Sequence, residues 1–324
     1  MKLIVSHGSA LEYWRSVSTL RLPRPEPARI RTPGDRPSDT EILPLCARHA
    51  LNPPLHLLVP KSERRPHTDN VVYHAREELL PCGSLAFVEE GLFVASPKLC
   101  FLQQAAEASF PEIVDLAYEL CGTYTPSFAC TDRSFGQDPE TSIPKLEAFM
   151  GRAKGMHGVN QAKRALRYAL PNSASPAETA LSMLLTLPYL SGGCSLSQPQ
   201  LNYRIDPGKH ARKNASQDYY KCDLFWEKTR LAVEYDSNLC HTGGNRISRD
   251  SKRRDELAGL NVTVVTVTTG QLFNFQEFNK VARTVAKLLG ERIQPRNESF
   301  PTRQLELRSV LLAKLTQHPN PLAG

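Results

Sequence analysis

Residues 219–236 read Tyr-Tyr-Lys-Cys-Asp-Leu-Phe-Trp-Glu-Lys-Thr-Arg-Leu-Ala-Val-Glu-Tyr-Asp. Two runs rich in strand-forming residues, Tyr219–Trp226 and Arg230–Asp236, flank Lys228-Thr229, which is the pattern of a β-hairpin. With those two residues as the turn, Trp226 faces Leu231, Asp223 faces Glu234 and Lys221 faces Asp236. Strand alternation then sends Cys222, Leu224, Trp226, Leu231, Val233 and Tyr235 to one face as a candidate core. The other face receives Lys221, Asp223, Phe225, Ala232, Glu234 and Asp236, so three carboxylates share it. Directly opposed residues hold their Cβ atoms about 5 Å apart, so Asp223 and Glu234 repel unless a cation lies between them or one carries a proton. Carboxylate oxygens suit Mg2+ or Mn2+, and such an ion supports hydrolysis of a phosphodiester by stabilising charge and lowering the pKa of water. An exposed sheet face with ordinary acids is the alternative reading.

Outward from the hairpin the order of elements becomes legible. A helix opens at Ser175-Pro176-Ala177-Glu178 and runs to about Leu187, and a strand covers Gln200–Ile205. After the hairpin come a helix over Arg246–Gly259 and a β-branched strand over Val262–Thr268. Next is an amphipathic helix with Phe275, Phe278, Val281, Ala282, Val285 and Leu288 on one side. The expected order is αβββαβα. Upstream, a helix over Val159–Leu170 turns Ala162, Ala165, Leu166 and Ala169 inward and Lys163, Arg164 and Arg167 outward, as a solvated face or as phosphate contacts. The loop from Lys209 through Arg212 and Lys213 offers a second basic segment able to hold a phosphate backbone independently of sequence. Tyr219, Tyr220 and Trp226 are aromatic rings able to stack on bases, although Trp226 belongs to the expected core face.

Asp223, then Glu234-Tyr235-Asp236-Ser237, then His241, Asp250 with Arg254, and the strand Val262–Val267 together resemble the pattern of the very-short-patch-repair-endonuclease-like family. That family lies within the PD-(D/E)xK nuclease superfamily, and the likeness covers about residues 175–290. The resemblance implies a restriction-endonuclease-like α/β core, DNA as substrate, and Asp223 and Glu234 as ligands of a catalytic Mg2+ or Mn2+. The superfamily places a lysine two residues after the second acid, whereas this chain has Asp236, as a recognised subtype of the family does. In the register above, Lys221 lies across from Asp236, either as a displaced catalytic lysine or as one half of a cross-strand ion pair. Glu178 matches the acid that superfamily members carry on the first core helix, and its spacing from Ser175 equally fits a capping box. His241 fits a general base or a phosphate contact, or an exposed loop histidine. Ile247, Asp250, Arg254 and Leu257 share one face of their helix, so Asp250 and Arg254 are expected to point toward the sheet, bordering the site or forming a structural ion pair.

Composition and charge set the frame around this reading. The chain has 324 residues and a formal net charge of +7, distributed as −4 over 1–150, +9 over 151–290 and +2 over 291–324. The basic second half suggests a polyanionic partner, with a merely solvated basic surface as the alternative. Eight cysteines without a CxxC pair read as reduced thiols, not as a zinc or disulfide framework. No apolar run approaches the roughly 18 residues of a membrane span and the N-terminus lacks a signal-peptide pattern, which places the protein in the cytoplasm. A Pro/Arg-rich stretch over Leu22–Thr40 reads as a loop, and strands are expected at Leu55–Val59, Val71–His74, Leu85–Glu89 and Leu92–Ala95. Helix starts follow at Ser96-Pro97 and Ser109-Phe110-Pro111-Glu112.

The expected organisation is a smaller α+β domain with its connection over 1–150, a nuclease-like domain over 151–290, and a tail with a short helix near Gln304–Leu315. Leu55–Val59, Gly91–Ser96 with Pro97, and the helices after them resemble the AbiEi-like abortive-infection antitoxin regulators, which implies a protein partner for the N-terminal region. Two functions follow. One is a metal-dependent DNA endonuclease of repair or defence; the other is a non-catalytic nucleic-acid-binding regulator or toxin–antitoxin component with a degenerate nuclease fold.

Overall fold

The structure is a computed structural model that describes residues 2–20, 24–37, 39–63, 68–126, 136–207, 217–236, 244–296 and 298–316. For residues 39, 40, 43, 63 and 244–250 it describes the backbone alone. The chain divides into two compact units, Met1–Ala169 and Leu170–Gly324. Both are mixed α/β.

The first unit contains β1 (Leu3–Val5), α1 (His7–Leu20), β2 (Glu26–Pro27), α2 (Asp39–Arg48), β3 (Leu55–Pro60), β4 (Val71–Arg76), β5 (Leu85–Glu89), β6 (Leu92–Ala95), α3 (Pro97–Gln104), α4 (Phe110–Cys121), α5 (Ile143–Arg152) and α6 (Val159–Leu166). Its sheet runs β2-β5-β6-β1-β3-β4. The interior strand β1 is parallel to β6 and antiparallel to β3. All three of its residues are buried, and a three-residue apolar run cannot display the alternation by which a strand is recognised. Ser109 and Glu112 form a reciprocal capping box that starts α4, while Ser96 caps α3 through the Leu99 N–H. Helix α5 falls in the stretch expected as connection, although Leu146, Phe149 and Met150 bury a helical stripe behind Pro144. Helix α6 packs with α4 and α5, so it belongs to the first unit and the division falls at 169/170 instead of 150.

The second unit contains α7 (Pro176–Thr186), β7 (Gln200–Ile205), β8 (Tyr220–Trp226), β9 (Leu231–Asp236), α8 (Gly244–Gly259), β10 (Thr263–Thr268), α9 (Thr269–Phe273), α10 (Phe275–Leu289) and α11 (Phe300–Thr316). The sheet order is β10-β9-β8-β7; the first three strands in sequence are antiparallel, and β10 lies parallel to β9 after the α8 crossover. Helix α7 is buried from Ala177 to Thr186, in contact with β8, β9 and α11. Gln304, Leu307, Arg308 and Leu311 of α11 are themselves buried, so this helix is part of the unit and not a separate tail.

The hairpin pairs Trp226 with Leu231, Phe225 with Ala232 and Leu224 with Val233, the register expected from sequence. Its connection spans four residues, Glu227–Arg230, because Arg230 adopts a left-handed φ of 50° and the Arg230 N–H bonds the Glu227 carbonyl at 3.3 Å. The expected division of faces needs correction. Phe225 and Ala232 do not share an open acidic face; they are fully buried in one cluster with Tyr220, Cys222, Leu257 and Val262. Leu224 and Val233 are buried as well, so the hairpin has apolar cover on both sides. The pleat is also interrupted: Asn202 of β7 takes a φ of 51°, between the pairs Leu201–Leu224 and Tyr203–Cys222. Strict alternation would separate Cys222 from Phe225, and this kink opposite Asp223 accompanies their meeting in one cluster. Among the described residues no helix is long and apolar enough to cross a membrane.

Candidate active site

The acids gather where the hairpin ladder ends. Beyond the last pair, Leu224–Val233, Asp223 Oδ2 accepts the backbone N–H of Tyr235 at 2.8 Å. A side chain thus takes a main-chain donor of β9, which fixes the Asp223 carboxylate between the two strands. Glu234 lies next to Tyr235, and its Oε1 accepts from Arg253 Nη2 of α8 at 2.6 Å. The same nitrogen donates to the Lys221 carbonyl at 2.7 Å, so one guanidinium joins α8 to both hairpin strands.

Glu178 enters from the first turn of α7. Ser175 caps that helix, its Oγ accepting from the Glu178 N–H at 3.1 Å. The Glu178 carboxylate in turn accepts from Ser175 Oγ at 2.9 Å, the Ala174 N–H at 2.9 Å and Asn202 Nδ2 at 2.6 Å. The capping role and the acid-cluster role therefore coexist in one side chain. Asn202 Nδ2 also reaches the Asn172 carbonyl at 2.8 Å, and asparagine tolerates the left-handed backbone that this geometry requires.

The electrostatics follow from burial and like charge. The Asp223 carboxyl is pushed up to about 7, first by burial and then by the negative charge of Glu178, with Glu234 adding to it. The Tyr235 N–H and the Arg253 charge act in the opposite direction without prevailing. Burial likewise raises Glu178, against its three hydrogen bonds and the charge of Lys221. For Arg253, burial opposes the cation, and the charge and hydrogen bond of Glu234 outweigh it. The cluster thus holds more carboxylate than its cations neutralise, which is the condition a divalent cation would relieve. It is not a preassembled ion cage. Among the described residues, the one group of three ligand atoms that all lie within 4.8 Å of one another is elsewhere, at His7, His74 and Glu107. Binding an ion between Asp223 and Glu234 requires Glu234 to share or leave Arg253.

Asp236 is half-buried and pairs with Thr268 in the parallel ladder. Lys221 is exposed, and the β8–β9 pairs stop short of it, so Lys221 and Asp236 are not a ladder pair. The expected inward face of α8 is corrected by one residue: Arg254 is exposed, and Arg253 turns to the sheet. Buried Leu257 sets the rotation of the helix, and Arg253, one turn before it, shares its stripe. The backbone of Asp250 lies in α8, while its side chain, like His241, Lys209, Arg212 and Lys213, lies outside the described residues. Lys163 and Arg164 are exposed on α6 of the other unit and Arg167 is exposed at its C-cap, with the Arg164 guanidinium 4.2 Å from the Phe110 ring centroid. Of the three aromatic residues, Tyr220 and Trp226 are buried, and Tyr219 is exposed with the Arg204 guanidinium 4.1 Å from its ring centroid.

Arg253 and Asn202 are the two site residues that pattern reading overlooks. Arg253 sits in a Lys252-Arg253-Arg254 run in which any one cation fits a solvated helix face; the spacing to Leu257 was the available signal. Asn202 had none, because a left-handed residue in mid-strand has no sequence mark. No known protein family, curated protein or solved structure matches this chain.

Proposed function

We propose that the second unit is a restriction-endonuclease-like core acting as a divalent-metal-dependent DNA endonuclease, with repair or defence as its setting. The observation that carries this reading is the half-buried Asp223 carboxylate, held by the Tyr235 N–H and pressed by the negative charge of Glu178 and Glu234. An oxygen donor set of this kind fits Mg2+ or Mn2+, with Asp223 and Glu234 as its protein ligands. When bound, the ion supplies Lewis-acid stabilisation of charge developing on the phosphate and lowers the pKa of attacking water. The chain's own residues prepare the place. The Tyr235 N–H orients Asp223, and Glu178 with Asn202 closes the inner side. Arg253 holds Glu234 until an ion competes for it. Lys221, exposed at the rim, brings positive charge toward the phosphate in the place of the lysine that Asp236 replaces. The basic residues of the chain supply the salt-sensitive affinity for the DNA backbone, and the N-terminal unit offers a surface for a protein partner.

The purified full chain, incubated with plasmid, linear and single-stranded DNA across Mg2+ and Mn2+ concentrations, tests this. Metal-dependent cleavage lost in Asp223→Ala and in Glu234→Ala is the expected result. DNA binding without cleavage on every substrate, unchanged by both substitutions, favours the non-catalytic regulator instead.

A further inference from the structure

The first unit brings together three histidines that are far apart in sequence. His7 is the first residue of α1; His56 and His74 come from the parallel neighbours β3 and β4, where His56 pairs with Val72 and His74 with Leu58. The rings of His7 and His74 stack with centroids 3.4 Å apart and planes 12° apart. His56 Nδ1 lies 2.9 Å from His74 Nε2, and His7 Nδ1 lies 2.9 Å from Ser6 Oγ. From the turn after α3, the exposed Glu107 brings a carboxylate oxygen to the same place. One ligand atom each of His7, His74 and Glu107 lies within 4.8 Å of the other two.

Two independent features mark the place as built. His7 has a left-handed φ of 49°, uncommon outside glycine, and its N–H is held by Gln103 Oε1 of α3 at 3.0 Å. Each imidazole of the pair also has a fixed second nitrogen, His7 on Ser6 and His74 on His56. Outer partners of this kind orient imidazole ligands around a metal.

We propose that His7, His74 and Glu107 bind a borderline divalent transition-metal ion of the Zn2+ class, with Ser6 and His56 as positioning residues. With Nδ1 of His7 and Nε2 of His74 engaged by those partners, ligation uses His7 Nε2 and His74 Nδ1. Two imidazole nitrogens and one carboxylate suit Zn2+ and not Mg2+, whose ligands are oxygens. Bonds of about 2.0 Å at a tetrahedral angle set ligand atoms about 3.3 Å apart, so the ion draws the three side chains inward on binding. Glu107 lies at the surface, and a fourth position open to water completes the coordination. This site is separate from the oxygen ligands of the second unit and does not depend on their role.

The test uses the full chain after removal of metal by a chelator, with Co2+ as the spectroscopic probe and Zn2+ as its competitor. The expected result is one equivalent of Co2+ with the intense visible bands of four-coordinate cobalt, displaced by Zn2+. Affinity falls at least about 100-fold in His7→Asn and Glu107→Gln and about 10- to 100-fold in His56→Ala, and is unchanged in Asp223→Asn. Asparagine tolerates the backbone of His7, and Glu107 is exposed, so circular dichroism of Glu107→Gln secures the result should a buried-histidine variant unfold. Absence of a stoichiometric site in the unaltered chain overturns the proposal, as does undiminished affinity in folded Glu107→Gln.

Discussion

The acid cluster of the second unit and the histidine cluster of the first differ in how each manages buried polar groups. At Asp223 the excess is negative charge: three carboxylates converge, and Arg253 is committed to one of them. At His7 the group is neutral, since burial and two neighbouring imidazoles disfavour its proton. The first arrangement calls for a hard cation and the second offers nitrogen to a softer one, so the two regions should separate cleanly by metal and by variant.

The largest expected effect is on chemistry. Asp223→Ala should lower DNA cleavage at least about 100-fold, or about 2.7 kcal/mol of transition-state stabilisation. The same variant should leave the Co2+ spectrum intact, whereas Glu107→Gln should do the reverse. A shared response of both readouts to either change would show that the two clusters are not independent.

Stability should sharpen the contrast next. Asp223 titrates near 7 in the folded chain and near 4 when unfolded. Between those values the folded state keeps a proton that the unfolded state has released. The contribution of this group therefore favours folding fully below about pH 4 and is lost as the pH rises through about 7. Urea unfolding in chelator should show stability declining between pH 5 and 8. Asp223→Asn should flatten that slope and gain roughly 1–3 kcal/mol at pH 8. Mg2+ at pH 8 should restore stability to the unaltered chain but not to this variant.

Arg253→Gln removes the cation from Glu234, whose pair has 31% and 20% of its side chains exposed. With that exposure discounted, the expected loss is about 1–2 kcal/mol in denaturant unfolding. Mg2+ should bind more tightly, because Glu234 no longer has to leave a partner; weaker Mg2+ binding would instead make Arg253 a support of the ion site. The smallest effect is expected at Asn202. Asn202→Gly keeps the left-handed backbone while deleting the bonds to Glu178 and Asn172, at roughly 1 kcal/mol. Asn202→Ala should cost more, since it adds backbone strain.

Legibility in the sequence tracked how local each interaction is. The hairpin register came from two alternating strands and a short polar turn, so Asp223 and Glu234 could be placed near each other from 18 consecutive residues. The rotation of α8 was off by one residue because three adjacent cations offered equal choices, and only the packing of Leu257 distinguished them. Strand β1 was too short to show a period, and α5 showed its apolar stripe only to a reader already expecting a helix there.

By itself the sequence determined the alternation of elements in the second unit and the residue types able to hold a hard cation. Those are properties of neighbours along the chain, where period and turn chemistry act. Tertiary structure alone decided which cation faces Glu234, why Glu178 both caps a helix and presses charge on Asp223, and that His7, His56 and His74 meet. Those outcomes depend on which buried surfaces meet when the sheets and helices pack. A left-handed residue at Asn202 or His7 gains its meaning only from the partners that hold it there.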